Sequence, residues 1–90
     1  MLKITKFSTQ WCVPCSHLEK TMNEILPSYD TKVLYSVVDV EEEIDLATEL
    51  KIMSVPTMIF EHDGKVVCRF SGTKSGNEIK TIIDKYVKEI

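Results

Sequence analysis

The chain has no basic cluster, no long apolar run and no even set of cysteines, and each absence removes a class of protein. Its 90 residues carry 14 acidic and 11 basic side chains, a net charge of −3. A nucleic-acid surface needs concentrated positive charge, which a scattered and net acidic set does not supply. No apolar stretch reaches the length of a secretory core or a membrane span. The expectation is therefore a soluble cytoplasmic protein with no membrane or nucleic-acid partner. Three cysteines cannot all pair, and a leftover thiol is out of place in an oxidising compartment. In a reducing cytosol, a close cysteine pair means redox or metal chemistry rather than a structural staple. No linker, repeat or low-complexity segment divides the chain, and 43% hydrophobic residues suffice for a core. One domain over residues 1–90, working as a monomer, is expected.

What the chain does have is Trp11-Cys12-Val13-Pro14-Cys15, placed where a short apolar strand runs out and a helical pattern begins. A helix start gathers unpaired N–H groups and partial positive charge, which stabilise a thiolate over a thiol. A separation of three residues sets both sulfurs on one side of the first helical turn, within reach of a disulfide. An ordinary thiol near pKa 8.5 is mostly inert at neutral pH, but at such a site the value falls to roughly 3.5–7.5. The position suits a dithiol that cycles between reduced and oxidised forms.

Around this motif the pattern is readable. Leu2 to Phe7 alternates as a strand. From Val13 to Leu26, Cys15, Leu18, Met22, Ile25 and Leu26 recur at helical spacing until Pro27, and Pro14 is tolerated in a first turn that has no use for its missing N–H. Lys32 to Val40 is nearly continuous in apolar residues, as expected of a buried strand. Glu41, Glu42 and Glu43 mark a solvated helix start, with Ile44, Ala47 and Leu50 as its apolar stripe. Thr57–Glu61 and Lys65–Ser71 flank Asp63-Gly64, a strong hairpin signal. Ser75 and Glu78 form a capping-box signature. The last helix aligns Ile79, Ile82, Ile83, Tyr86, Val87 and Ile90 on one face. The order βαβ-α-ββα implies an α/β fold, a four-stranded mixed sheet with helices on both faces. It sets Cys12 beyond the C-terminal end of the first strand, where open α/β sheets hold their sites.

These residues resemble the thioredoxin family. Trp11-Cys12-Val13-Pro14-Cys15 is similar to its Trp-Cys-Gly-Pro-Cys, and Val55-Pro56-Thr57 to its Ile-Pro-Thr, while Phe7, Asp39, Gly64 and Gly72 fall at matching distances. The resemblance covers essentially the whole chain. The family's extra N-terminal strand and helix are missing, which leaves the shorter core shared with glutaredoxins. It implies that Cys12 attacks a substrate disulfide as a thiolate and that the more buried Cys15 resolves the mixed disulfide. It implies a cis Val55–Pro56 bond facing the pair, with Val55 offering its backbone to substrate, and Trp11, Val13 and Pro14 bordering the site. No cofactor is implied beyond the Cys12–Cys15 disulfide. Protein disulfides would be the substrates, and a thioredoxin-reductase-like flavoprotein would restore the dithiol.

The rest of the polar inventory reads plainly. His17 points away from the cysteine pair and is expected to be exposed. His62 in the hairpin is expected to face solvent. Cys68 reads as a small strand hydrophobe.

Three positions depart from the family. Val13 stands for the usual glycine, and the residues between the cysteines tune the redox couple, for which 30 mV is about 1.4 kcal/mol. Lys6 falls where the family buries an aspartate thought to assist the resolving thiol, and Tyr35 falls where it buries a lysine. With no acidic neighbour evident, the Lys6 head is expected to snorkel to water, leaving the resolving step to solvent. Two other readings remain: a glutaredoxin-like enzyme using glutathione, and a non-catalytic module that binds metal or a partner. Against glutathione, Thr73-Lys74-Ser75-Gly76 lacks the glycine-glycine-acid pattern of glutaredoxins. Against a closed metal site, only Cys68, His17 and His62 are left to complete four ligands.

Overall fold

A computed structural model describes residues 1–87. The chain runs through β1 (Leu2–Ser8), α1 (Val13–Ile25), β2 (Val33–Asp39), α2 (Ile44–Glu49), β3 (Thr57–His62), β4 (Lys65–Ser71) and α3 (Gly76–Tyr86), with two short 3-10 turns between α1 and β2. The sheet order is β2-β1-β3-β4. β1 and β2 are parallel, joined across α1, while β3 pairs antiparallel with both β1 and β4. The mixed sheet expected from the element order is therefore present.

One face of this sheet builds the core. Leu2, Ile4, Met58 and Phe60 point from β1 and β3 toward Leu18, Met22 and Ile25 of α1 and Ile79 and Ile83 of α3, all buried. The helical spacing read in α1 and α3 is the spacing of these contacts. Ile82, Tyr86 and Val87 pack at the margin of this core, and Ile90 lies outside the described residues. Cys68 also packs against it, half-buried. The 3-10 turn at Leu26–Ser28 ends α1 where Pro27 appears.

Local signals hold where they are strong. Asp63 and Gly64 both take positive φ, 53° and 82°, which is what a two-residue hairpin turn with the right twist requires. Ser75 Oγ accepts the Glu78 N–H while the Glu78 carboxylate accepts the Ser75 N–H, so the capping box is complete. Hydrogen bonds from the Ser75 N–H and then the Ser75 side chain hold the Glu78 carboxyl below its ordinary value.

Three expectations are corrected. β2 is an edge strand, not a buried one: Leu34 is 54% exposed and Val37 47%. Its apolar run looked buried because periodicity reports composition, not how many neighbours a strand acquires. Ile44 does not join a buried stripe, because α2 is only six residues long and turns Ala47 inward while Ile44 stays exposed. His62 is half-buried rather than solvent-facing, with its ring 5.8 Å from that of Tyr86 and Nδ1 3.6 Å from Asp63.

Candidate active site

The loop after β1 delivers Cys12 to the first turn of α1 in an extended conformation, as its N-cap. Its side chain does the work a serine does at other helix starts, because Sγ accepts the Cys15 N–H at 3.1 Å. Pro14 occupies the first turn without loss. Cys12 and Cys15 form a disulfide, with Cα atoms 5.2 Å apart. The two sulfurs differ in access: Cys12 is half-buried and Cys15 almost wholly buried. When the bond is reduced, the Cys15 N–H that Cys12 already engages, together with the helix N-terminus, favours its thiolate.

The surroundings of the pair are apolar and open. Trp11 is 86% exposed, which excludes a core role, and Val13 and Pro14 are exposed beside it. The register sets Thr57 opposite Phe7, so the residues before β3 return to the same end of the sheet as the cysteine loop. There the Val55–Pro56 bond is cis, Pro56 is buried and Val55 is half-exposed. The Pro56 carbonyl accepts the Gly72 N–H at 2.9 Å, with Gly72 at φ 84°. Thr57 Oγ1 donates to the Ser54 carbonyl at 2.7 Å and lies 3.0 Å from Ser71 Oγ, which ties the segment down.

Beneath Cys15 the sequence reading is overturned. Lys6 does not snorkel to the surface; it is 3% exposed, facing α1 from the floor of the sheet. Its Nζ donates to the Cys15 carbonyl at 3.2 Å and pairs with Glu19 Oε1 at 2.9 Å. Glu19 in turn accepts the Tyr35 hydroxyl. Burial alone raises the Glu19 carboxyl, but the hydrogen bonds from Tyr35 and Lys6 and the Lys6 charge outweigh it and hold the group below its ordinary value. Burial, then the Glu19 bond and its negative charge, push the Tyr35 phenol upward.

The acidic partner that sequence reasoning missed was in view. Glu19 stands four residues after Cys15, hence on the same helical face.

His17 is exposed, and it lines a cleft of about 420 Å³ between α1 and the start of α3, with Pro14 and Lys74. Among the described residues no group of three or more His, Cys, Asp or Glu side chains is placed to hold a metal ion. Among them, too, no helix is long and apolar enough to cross a membrane.

A half-buried cysteine at a helix N-cap, disulfide-bonded to a buried one a turn later and set on a four-stranded α/β sheet, defines a dithiol–disulfide protein. The chain belongs to the thioredoxin family, whose profile matches residues 2–85. It is 30% identical over 84 residues to the mitochondrial thioredoxin of Bos taurus, covering 93% of this chain and 51% of that protein. The chain thus spans about half the length of the mitochondrial relatives it matches. To the thioredoxin of Staphylococcus haemolyticus it is 29% identical over 86 residues, 96% of this chain and 83% of the other. The solved thioredoxin of Fasciola hepatica superposes with a TM-score of 0.84 at 28% identity, over 94% of this chain and 80% of that one.

Proposed function

We propose that this chain is a thiol–disulfide oxidoreductase that reduces protein disulfides, with Cys12 as nucleophile and Cys15 as resolving thiol. The observation that carries this reading is the asymmetry of the pair, one sulfur at the helix tip and the other buried behind it. In the reduced protein the Cys12 thiolate attacks a substrate sulfur, forming a mixed disulfide and releasing the other substrate sulfur as a thiolate. Cys15 then loses its proton and attacks Cys12 Sγ. The mixed disulfide breaks, the substrate leaves as a dithiol reduced by two electrons, and the Cys12–Cys15 bond of the present structure is formed. No cofactor enters this cycle. Trp11, Val13 and Pro14 offer an apolar landing surface for the substrate chain, and Val55 and Pro56 border it from the other side.

A flavoprotein of the thioredoxin-reductase kind, rather than glutathione, is the proposed electron source. At the start of α3 the Glu78 N–H is already bonded to Ser75, so the capping box consumes a donor that an anionic peptide would need. We place the protein as a monomeric single domain in the cytoplasm, and expect a potential between roughly −220 and −280 mV.

Two variants test the assignment. Cys12→Ser is expected to abolish insulin disulfide reduction, and Cys15→Ser to accumulate a mixed disulfide on Cys12. Recovery of the trapped adduct on Cys15 reverses the roles. Reduction supported by glutathione but not by a reductase moves the protein to the glutaredoxin-like reading, and stoichiometric zinc in purified protein ends the enzymatic one.

A further inference from the structure

The Lys6–Glu19–Tyr35 cluster has no part in packing that an apolar trio could not fill. Burying an ammonium is costly, and a buried ion pair is weak evidence for stability in itself. Its location is specific. Lys6 Nζ touches the carbonyl of Cys15, the residue whose sulfur must ionise for the mixed disulfide to break. An open cavity of about 440 Å³ reaches this point from the β2 side, lined by Lys6, Cys15, Ser16, Glu19, Val37 and the loop after β1. The cavity brings solvent to the margin of the cluster, beside Cys15 and the part-exposed Glu19, while Lys6 itself stays 3% exposed.

Resting on the dithiol reading above, we propose that Lys6, held in place by Glu19 and Tyr35, is the positioning residue that makes the buried Cys15 sulfur reactive by favouring its thiolate in the resolving step. The Cys15 proton passes to water in the cavity. The thiolate then attacks Cys12 Sγ, the bond from Cys12 to substrate breaks, and the departing substrate thiolate takes up a proton from solvent.

Burial works against an ionised Cys15, and opposite charge works for it. The charges near the pair offset Lys6 only in part. Glu19, on α1, has its side chain 37% exposed, so water screens it while Lys6 is buried on the Cys15 side. Asp39 lies on the same face of β2, but its carboxylate is engaged by the Glu41 N–H at 2.8 Å. β3 brings only Thr57 and Met58 to this level. α3 approaches α1 lower down, where Gly76 meets Thr21 and Ile25. Among the described residues Tyr35, on β2, stays a neutral phenol, and the Cys12 thiolate is consumed once the mixed disulfide forms.

The test is a titration of Cys15 in protein labelled with 13C at cysteine Cβ. A Cys12→Ser background removes coupling between the two thiols, and Cys68 resolves as a separate signal. Adding Lys6→Met is expected to raise the Cys15 midpoint by about one unit or more, a loss of roughly tenfold in thiolate at neutral pH. Lys6→Arg, which keeps the charge, is expected to restore it. In protein with both active-site cysteines, Lys6→Met should slow release of the mixed disulfide near neutral pH by about the same factor. That difference should vanish at alkaline pH, where Cys15 is ionised in either protein.

Coincident titrations of the Lys6→Met and Lys6 proteins overturn the proposal, as does a Lys6→Arg protein that titrates like Lys6→Met. If Lys6→Met does not fold, the Cys12→Ser protein decides alone. A Cys15 midpoint well above roughly 8.5 then means burial acts uncompensated and the proposal fails; a midpoint at or below it supports Lys6. The titration needs neither substrate nor turnover. It can fail while the wild-type protein reduces insulin, and succeed while that activity is absent.

Discussion

The two faces of the sheet are made by alternate residues of the same strands, yet they solve different problems. On the α1 and α3 side, Leu2, Ile4, Met58 and Phe60 meet two amphipathic helices and are buried. On the opposite side, among the described residues, the short α2 is the one helix near the sheet, and Leu46 and Leu50 share a groove there with the buried Phe7 and Ile59. The rest of that face is a shallow groove in which Lys3, Ser36, Glu61 and Val66 meet solvent. Lys3 and Glu61 stand opposite each other there, 4.0 Å apart, in an exposed pair worth little. Burial is thus concentrated on one face, while the Cys12–Cys15 disulfide sits at the end of the sheet. Lys6 sharpens the contrast: it is a cation on the well-packed face, and Lys3, three residues earlier on β1 and so on the other face, is an ordinary surface lysine.

The largest test of this comparison is Phe60→Ala. Phe60 is fully buried and packs on Phe70 with ring centroids 6.0 Å apart. Its truncation should cost about 3–5 kcal/mol in urea unfolding. A cost below about 1 kcal/mol would show that the α1 side is not the stabilising face.

Glu19→Gln comes next. It leaves the Lys6 ammonium facing a neutral amide instead of a carboxylate, and breaking a buried pair costs about 3–5 kcal/mol. The partial exposure of Glu19 reduces this to about 2 kcal/mol. The pH dependence fixes the cause. Because the folded-state Glu19 carboxyl lies below its ordinary 4.5, the unfolded chain binds the extra proton as pH drops. Its contribution is complete above pH 4.5 and is lost as pH falls through the lower folded value. The Gln variant should therefore show a flatter acid limb in a series of unfolding curves; an unchanged limb means the pair is not a stabilising contact.

Val66→Thr is the smallest effect. Val66 is 57% exposed on the open groove, so the change should stay within about 0.5 kcal/mol. A loss above about 1 kcal/mol would mean that something covers this face in solution.

Legibility followed the range of the interaction. The hairpin at Asp63-Gly64, the Ser75–Glu78 cap and the apolar faces of α1 and α3 depend on residues a few positions apart, and each was readable. So was the placement of Cys12 at a helix start, because strand, loop and helix follow one another directly. The status of β2 was not readable: a run such as Val33 to Val38 fits a central strand or an edge equally well until the sheet order is known. The half-burial of His62 is not readable for the same reason, since its neighbour Tyr86 lies 24 positions away.

The sequence by itself determined the elements and the reactive motif, because helical period, turn chemistry and the Cys12–Cys15 spacing are properties of short segments. Only the tertiary structure decided what stands beneath Cys15. Lys6, Glu19 and Tyr35 come from β1, α1 and β2, and nothing local assigns a buried position to a lysine. It took the parallel pairing of β1 with β2, and the packing of α1 across both, to bring a carboxylate and a phenol to the same point. Burial raises the energy of a lone charge so steeply that its partners had to be present before Lys6 could be buried.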